Sequence, residues 1–145
     1  MVREEICTPD IELLTISLRP FYLPREFQQL FFTIVYIHPR ANASAATQLI
    51  ADVTHRLDTI CPDAPKFVLG DFNHCLLDKT LRTYEQYVTC ATTLRNSTID
   101  LCYGSVSGAY TSLTLPPLGS SYHNSVSDAH VHTLVQEAPP SGENC

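Results

Sequence analysis

One stretch of nine residues, Lys66 to His74, constrains the fold more than any other part of this chain. It reads KFVLGDFNH, so three bulky apolar side chains lead to a glycine, and a carboxylate, an amide and an imidazole follow within four residues. Consecutive apolar residues without alternation are typical of a β-strand that is covered on both faces. Gly70 lets the backbone turn or approach another group without the steric cost of a Cβ atom. The stretch therefore predicts a buried strand with polar groups at its carboxyl end, where α/β sheets tend to place their ligands.

The polar end of this strand has two interpretations. Asp71 and Asn73 are two residues apart, so both side chains point the same way if the extended geometry persists. A carboxylate and an amide on one side could then bind a cation or orient a water molecule. Gly-Asp-x-Asn is also turn chemistry in its own right. The motif alone leaves both interpretations open.

The residues before this strand predict one α/β domain. The chain has 145 residues, of which 44% are hydrophobic, and this is enough for a single core. Apolar and β-branched residues predict strands over 11–22 and 30–37, which could pair as an antiparallel hairpin. A helix is predicted to begin at Asn42 or Ser44 and to end at Pro62. Its apolar stripe consists of Ala46, Leu49, Ile50, Val53, Leu57 and Ile60. The order strand, helix, strand predicts a right-handed crossover.

After His74 the patterns are weaker. A short strand is predicted around 87–89, and further strands over 98–103 and 109–115. Residues 127–145 are polar and include two adjacent prolines, so they are predicted to form a frayed, disordered tail.

Charge and cysteine usage exclude several classes of protein. The net charge is −6 and no Lys or Arg follows Arg95, which argues against an independent nucleic-acid-binding module. Six cysteines are scattered without a C-x-x-C pair, and the charged start of the chain does not resemble a secretory leader. We therefore expect reduced cysteines and an intracellular protein, in the cytoplasm or nucleus. No apolar run approaches the roughly 20 residues that span a bilayer, so no membrane association is expected.

Three short motifs, taken in order, resemble a known set. They are Gly70-Asp71-Phe72-Asn73, Ile99-Asp100-Leu101 and Ser121-Tyr122-His123-Asn124. In this order they resemble the endonuclease/exonuclease/phosphatase superfamily, with its DNase I-like and apurinic-endonuclease-like members. The segments 35–39 and 19–26 also look like the endonuclease domain of non-LTR (LINE-type) retrotransposons of fish. The resemblance covers residues 4–126 and implies a partial four-layer α/β sandwich, with two facing mixed sheets, outer helices and the first strands missing.

The resemblance also implies an activity, a Mg²⁺-dependent phosphodiesterase that nicks DNA. In such enzymes the carboxylate matching Asp71 orients and deprotonates the attacking water, and the amide matching Asn73 helps to hold it. The histidine matching His123 contacts the scissile phosphate, and the carboxylate matching Asp100 orients that histidine. Tyr36 matches a tyrosine at the rim of the site, and the metal would polarise the phosphate.

Each of these residues also has a purely structural interpretation. Asp100 could end a strand and accept a hydrogen bond from a backbone amide. Tyr36 could be a core aromatic residue whose hydroxyl finds a partner. His123 lies in a loop rich in Ser and Asn, where solvated histidines are common.

Two departures from the family limit the expected activity. Tyr122 stands where the family has the aspartate of its Ser-Asp-His motif, and a neutral phenol is a poor ligand for a hard cation. By this resemblance the chain is also expected to lack the early strands that supply an Asn and a metal-binding Glu. The protein is therefore expected to be an impaired nuclease; the alternative is a non-catalytic retrotransposon-derived fragment or the product of an incomplete gene model. Without those strands we expect an exposed apolar sheet edge. We therefore expect a marginally stable protein that tends to self-associate through this edge.

Overall fold

The computed structural model describes residues 3–19 and 29–130, which form a six-stranded mixed sheet, one long helix and a two-stranded sheet. The elements are β1 (Arg3–Cys7), β2 (Ile11–Leu18), β3 (Leu30–Ile37), α1 (Ala43–Ile60), β4 (Lys66–Asp71), β5 (Glu85–Gln86), β6 (Asp100–Gly104), β7 (Tyr110–Leu115) and β8 (Ser125–His130). The strand order of the large sheet is β1-β2-β3-β4-β6-β5, and β7 and β8 form the small one. The described part of the chain is thus mixed α/β, as predicted.

The centre of the large sheet follows the predicted connections. β2 and β3 pair antiparallel as a hairpin, from Ile11 opposite Ile37 to Leu18 opposite Leu30. β3 and β4 are parallel, with α1 between them in the sequence, so the predicted crossover unit is present. β4 continues two residues beyond the predicted strand and ends at Asp71.

Helix α1 begins and ends where the sequence indicates. The side chain of Asn42 caps it by accepting a hydrogen bond from the amide of Ala45, at 3.2 Å. Its buried residues are Ala46, Ile50, Val53, Thr54 and Leu57. Ile60 was predicted to belong to this stripe, but it is 66% exposed because it is the last residue of the helix.

Side chains alternate between the two faces of the large sheet and build two cores. On the helix face, Phe31, Val35 and Val68 pack with the buried stripe of α1. On the opposite face, which we call the ribbon face, Phe67 and Cys102 pack with residues of β7 and β8. β4 is therefore covered on both faces, and the prediction of a doubly covered strand is confirmed.

Three predictions outside this centre require correction. The polar start of the chain hid β1, which pairs with β2 and is fastened to α1 by an ion pair between Glu4 and Arg56. The strand predicted around 87–89 is replaced by the two-residue β5, and β6 begins at residue 100 rather than 98. The prediction of a frayed tail from residue 127 is wrong for 127–130, which pair with β7 as part of β8. A strand of alternating small polar residues has too little apolar character to be recognised.

Several expectations fall on other parts of the chain. The end of the first predicted strand at 20–22, the turn at 24–26 and the tail at 131–145 lie outside the described residues. Within the described residues there is no disulfide, and no helix there has both the length and the apolar character needed to cross a membrane.

Candidate active site

The site begins with three side chains on neighbouring strands at one end of the large sheet. Asp71, the last residue of β4, lies opposite Asp100, the first residue of β6. On its other side Asp71 lies opposite Tyr36 near the end of β3. Because side chains alternate along each strand, all three lie on the ribbon face, on the same side as Phe67 and Cys102. Adjacent strand ends thus bring together residues that are far apart in the sequence.

His123 reaches this point from the loop between β7 and β8. Thr93 and His123 form an isolated β-bridge. The amide of Asn124 donates to the carbonyl of Thr92 at 2.9 Å, and its side chain donates to the carbonyls of Ala91 and Thr93 at 3.3 Å. These bonds hold the loop beside the start of β6, which is why the imidazole meets the two carboxylates.

Three of the predicted site residues form one cluster. His123 Nδ1 lies 2.9 Å from Asp100 Oδ2, and His123 Nε2 lies 4.0 Å from Asp71 Oδ2. One ligand atom from each of these residues lies within 4.8 Å of the other two, so the group could hold a metal ion. All three side chains are partly exposed, so solvent and small solutes can reach them.

Asn73 supports Asp71 rather than facing the cluster. Its backbone is in the left-handed region, with φ of 50°, and its amide donates to Asp71 Oδ1 at 3.0 Å. Its side-chain nitrogen donates to the carbonyl of Ile37 at 2.6 Å. The prediction that both side chains point the same way is therefore wrong for Asn73, and the turn interpretation is confirmed: the turn fixes Oδ1 of Asp71 and leaves Oδ2 toward His123.

Tyr36 lies at the rim of the site and is not a core residue. It is 42% exposed, and together with Glu12 and His38 it lines a shallow depression next to the sheet end. Its position beside Asp71 is fixed by the strand register. The alternative that Tyr36 is a buried core aromatic is wrong.

The cluster shifts the protonation of its members. Burial raises the pKa of Asp71 and nearby Asp100 raises it further, against the lowering effects of the Asn73 amide and His123. The hydrogen bond to Asp100 raises the pKa of His123 above its ordinary 6.5, against partial desolvation, and the negative charges of both aspartates add to the rise. The site thus favours an imidazolium between two carboxylates, one of which is a stronger base than usual.

Thr92 is a supporting residue that sequence reasoning missed. It is fully buried, and its hydroxyl accepts hydrogen bonds from the backbone amides of Ile99 and Asp100 at 3.0 and 3.1 Å. These bonds position the first residue of β6, and so the carboxylate that holds His123. A threonine in a loop gives no sequence signal for such a role.

Tyr122 lies next to His123 of the three-residue cluster but brings no carboxylate to it. Its ring is perpendicular to that of His123, with centroids 5.8 Å apart, and the guanidinium carbon of Arg95 lies 5.9 Å from its centroid. The position where the resembled family has an aspartate therefore carries an exposed aromatic ring stacked against a cation.

The donor atoms partly suit the divalent cation that the resemblance implies. Asp71 and Asp100 provide charged oxygens, which Mg²⁺ prefers. A protonated His123 cannot be a metal ligand, since its nitrogens then only donate. The residues present thus fit a cation held mainly by two carboxylates, with water completing its coordination.

Comparisons with known proteins add no assignment. No protein-family model matches the chain, and no curated protein matches it significantly.

Proposed function

We propose that this chain is a phosphodiester hydrolase with a partial DNase I-like fold, descended from a Mg²⁺-dependent endonuclease of a retrotransposon that nicks DNA. The observation that carries the proposal is the convergence of Asp71, Asp100 and His123 within 4.8 Å. These residues stand in separate motifs, and the resemblance assigns each of them a role at one phosphate. A phosphodiesterase site requires these residues to lie together at one sheet end. Residues with unrelated structural roles would have no reason to do so.

In this proposal Asp71 is the general base. The backbone amide of Asn73 donates a hydrogen bond to Asp71 Oδ1, so Oδ2 is the oxygen that accepts a proton from a water molecule. Burial raises the pKa of Asp71, which makes the carboxylate a stronger base than an exposed one. The oxygen of that water forms the new bond to phosphorus as the bond to the leaving oxygen breaks. The proton ends on Asp71.

His123 and Asp100 act as a pair. The imidazolium, held by its 2.9 Å hydrogen bond to Asp100, stabilises negative charge that develops on the phosphoryl oxygens. Tyr36, at the rim beside Asp71, can donate its hydroxyl to a neighbouring phosphate oxygen. Asp100 would hold the metal, with Asp71 contributing negative charge rather than the oxygen that takes the proton; the metal, when bound, would polarise the phosphate and neutralise charge on the leaving oxygen.

The donor set supports weak rather than strong activity. Two carboxylates carry less charge than a metal site with additional acidic ligands, and Tyr122 contributes no carboxylate. We expect nicking to need high concentrations of Mg²⁺ or Mn²⁺ and to stop in EDTA. Tyr122→Asp adds a charged oxygen next to His123 and is expected to lower the metal concentration needed.

A supercoiled-plasmid nicking assay tests the proposal. Asp71→Asn is expected to reduce nicking at least ~100-fold, because it removes the base while keeping the shape of the side chain. Asp52→Asn, on the exposed side of α1, makes the same chemical change far from the site and is the matched control. Nicking that persists in Asp71→Asn would come from a contaminant and would overturn the proposal.

The second candidate is a non-catalytic fragment that retains part of the fold. The observation that favours it is the aromatic ring of Tyr122 where a carboxylate would complete the metal site. In that case neither the natural chain nor Tyr122→Asp nicks DNA in an Asp71-dependent way at any Mg²⁺ concentration.

A further inference from the structure

An exposed aromatic ring lies directly beside the proposed phosphate site. Tyr122 is 43% exposed; Leu94, whose amide donates to the carbonyl of Tyr122, is 62% exposed, and Leu118 in the same loop as Tyr122 is 80% exposed. None of these side chains contributes much to the core. Large apolar side chains that remain in water near a candidate site indicate a surface that binds something flat or apolar.

The ring is held in place without being buried. The amide of Leu94 donates to the carbonyl of Tyr122 at 3.2 Å, and the amide of the next residue, His123, donates to Ser121 Oγ at 3.1 Å. The bridge between Thr93 and His123 fixes the same segment. Backbone bonds therefore set the position of Tyr122 while its ring stays accessible, which lowers the entropic cost of binding.

The cation on this ring gives the surface a second property. Arg95 lies over the ring of Tyr122, and no other Lys or Arg follows it in the chain. Tyr122 thus contacts both the guanidinium of Arg95 and the imidazole of His123, two groups that can bind phosphate. Aromatic rings and arginine together are the usual platform for unpaired bases of single-stranded nucleic acids.

We propose that Tyr122 and Arg95 form a subsite that stacks one unpaired nucleobase next to the phosphate held by His123. This inference rests on the proposed function and adds to it the form of the substrate. The two rings are 5.8 Å apart, so one nucleotide can place its phosphate at His123 and its base against Tyr122. A base that stacks on this side chain has left the stack of its own strand. The acidic chain has few cations to hold a duplex, so stacking supplies much of the binding.

A binding experiment in EDTA tests this subsite without relying on catalysis. A fluorescein-labelled thymidine tetranucleotide is compared, by fluorescence anisotropy, with a tetranucleotide of the same charge and label whose units are abasic. The full chain is expected to bind the thymidine form about tenfold more tightly, as one stacked base allows. Equal affinity for the two would overturn the inference.

Variants of the ring and the cation identify the contact. Tyr122→Phe keeps the ring and should keep the preference for bases, whereas Tyr122→Leu keeps an apolar side chain and should lose it. Arg95→Gln should weaken binding of both oligonucleotides, and Arg82→Gln, an exposed arginine of the 77–84 loop, is its matched control. A preference that survives in Tyr122→Leu would contradict the assignment.

The two proposals can fail separately. A base preference that depends on Tyr122, without any Asp71-dependent nicking, would leave a nucleotide-binding surface on an inactive domain. Nicking that depends on Asp71, together with equal binding of the thymidine and abasic forms, would keep the hydrolase and remove the subsite.

Discussion

The hydrogen bond between His123 and Asp100 is the contact on which the chemistry of the site depends most. The backbone of Asp100 is held in position because the hydroxyl of Thr92 accepts hydrogen bonds from the amides of Asp100 and Ile99. His123 is fixed by the bonds of its own loop. The backbone of each partner is therefore positioned by its own contacts, and the 2.9 Å bond requires only the two side chains to be ordered.

This pairing predicts the titration of His123. NMR of the imidazole protons should give a pKa above the ordinary 6.5 in the natural chain, and a value closer to 6.5 in Asp100→Asn, which removes the charge. Because the folded pKa is the higher one, the stabilisation by the pair is complete below pH 6.5. It is lost as the pH rises through the folded pKa. An unchanged His123 titration in Asp100→Asn would contradict the pairing.

Thr92 predicts a second effect at a single residue. Thr92→Val keeps the shape of the side chain but leaves the amides of Ile99 and Asp100 without the hydroxyl acceptor. Urea unfolding should show a loss of about 1–3 kcal/mol, the usual cost of unsatisfied buried polar groups. Thr92→Ser keeps the hydroxyl and should lose less than half of that. If valine and serine cost the same, packing rather than hydrogen bonding explains the burial of Thr92.

At the level of elements, β3 and β4 approach each other closely at Gly70. A Cβ atom there would lie 1.9 Å from the carbonyl oxygen of Val35, and the backbone has φ of +143°. Gly70→Ala is expected to destabilise the fold by ~3 kcal/mol or more in thermal or urea unfolding, since it forces the two strands apart just before Asp71. Gly108→Ala also has positive φ but meets no atom within 4 Å, so it should cost only about 1 kcal/mol. Similar losses for both would show that the close approach is not tight.

The elements that sequence reasoning found are those with a strong periodic pattern. β2 and α1 carry apolar residues at the spacing of a strand and of a helix, and β3 and β4 are short, nearly continuous apolar runs bounded by turn residues. β1 and β8 were missed because Arg3, Glu4 and Glu5, or Ser125 and Ser127, carry too little apolar signal. Each is a strand because it pairs with a neighbouring strand, β2 or β7, and this pairing is not encoded in its own residues.

The site was predicted from the order of its motifs, while its supports were not. Asp71, Asp100 and His123 converge as the resemblance implied, and Tyr36 lies at the rim beside them. The role of Thr92 depends on a loop conformation that no local rule specifies. The sequence alone indicates that Tyr122 replaces a carboxylate of the resembled family, but its contact with Arg95 follows only from the fold.

At the scale of the whole molecule, the large sheet is covered unequally on its two faces. The helix face is buried by α1, but the β7–β8 sheet packs over only part of the ribbon face. Among the described residues, Leu18, Ile34 and Tyr36 on that face are 39%, 43% and 42% exposed. The edge next to β2 is occupied by β1, so the apolar surface left open is a sheet face rather than the strand edge expected from the sequence.

This open face predicts self-association of the 145-residue chain. Light scattering after size exclusion should show species larger than a monomer, increasing with concentration, because contiguous exposed apolar side chains are buried by contact between copies. Ile34→Gln, at the centre of the open face, should shift the distribution toward monomer and leave the unfolding midpoint nearly unchanged. Leu113→Gln is the matched control, since Leu113 is 55% exposed on β7 and lies outside the open face. A natural chain that is monomeric at all concentrations would contradict the expected association. A sharp unfolding transition at high temperature would contradict the expected marginal stability. Either result would mean that the partly covered strands β2 and β3 need no further partner.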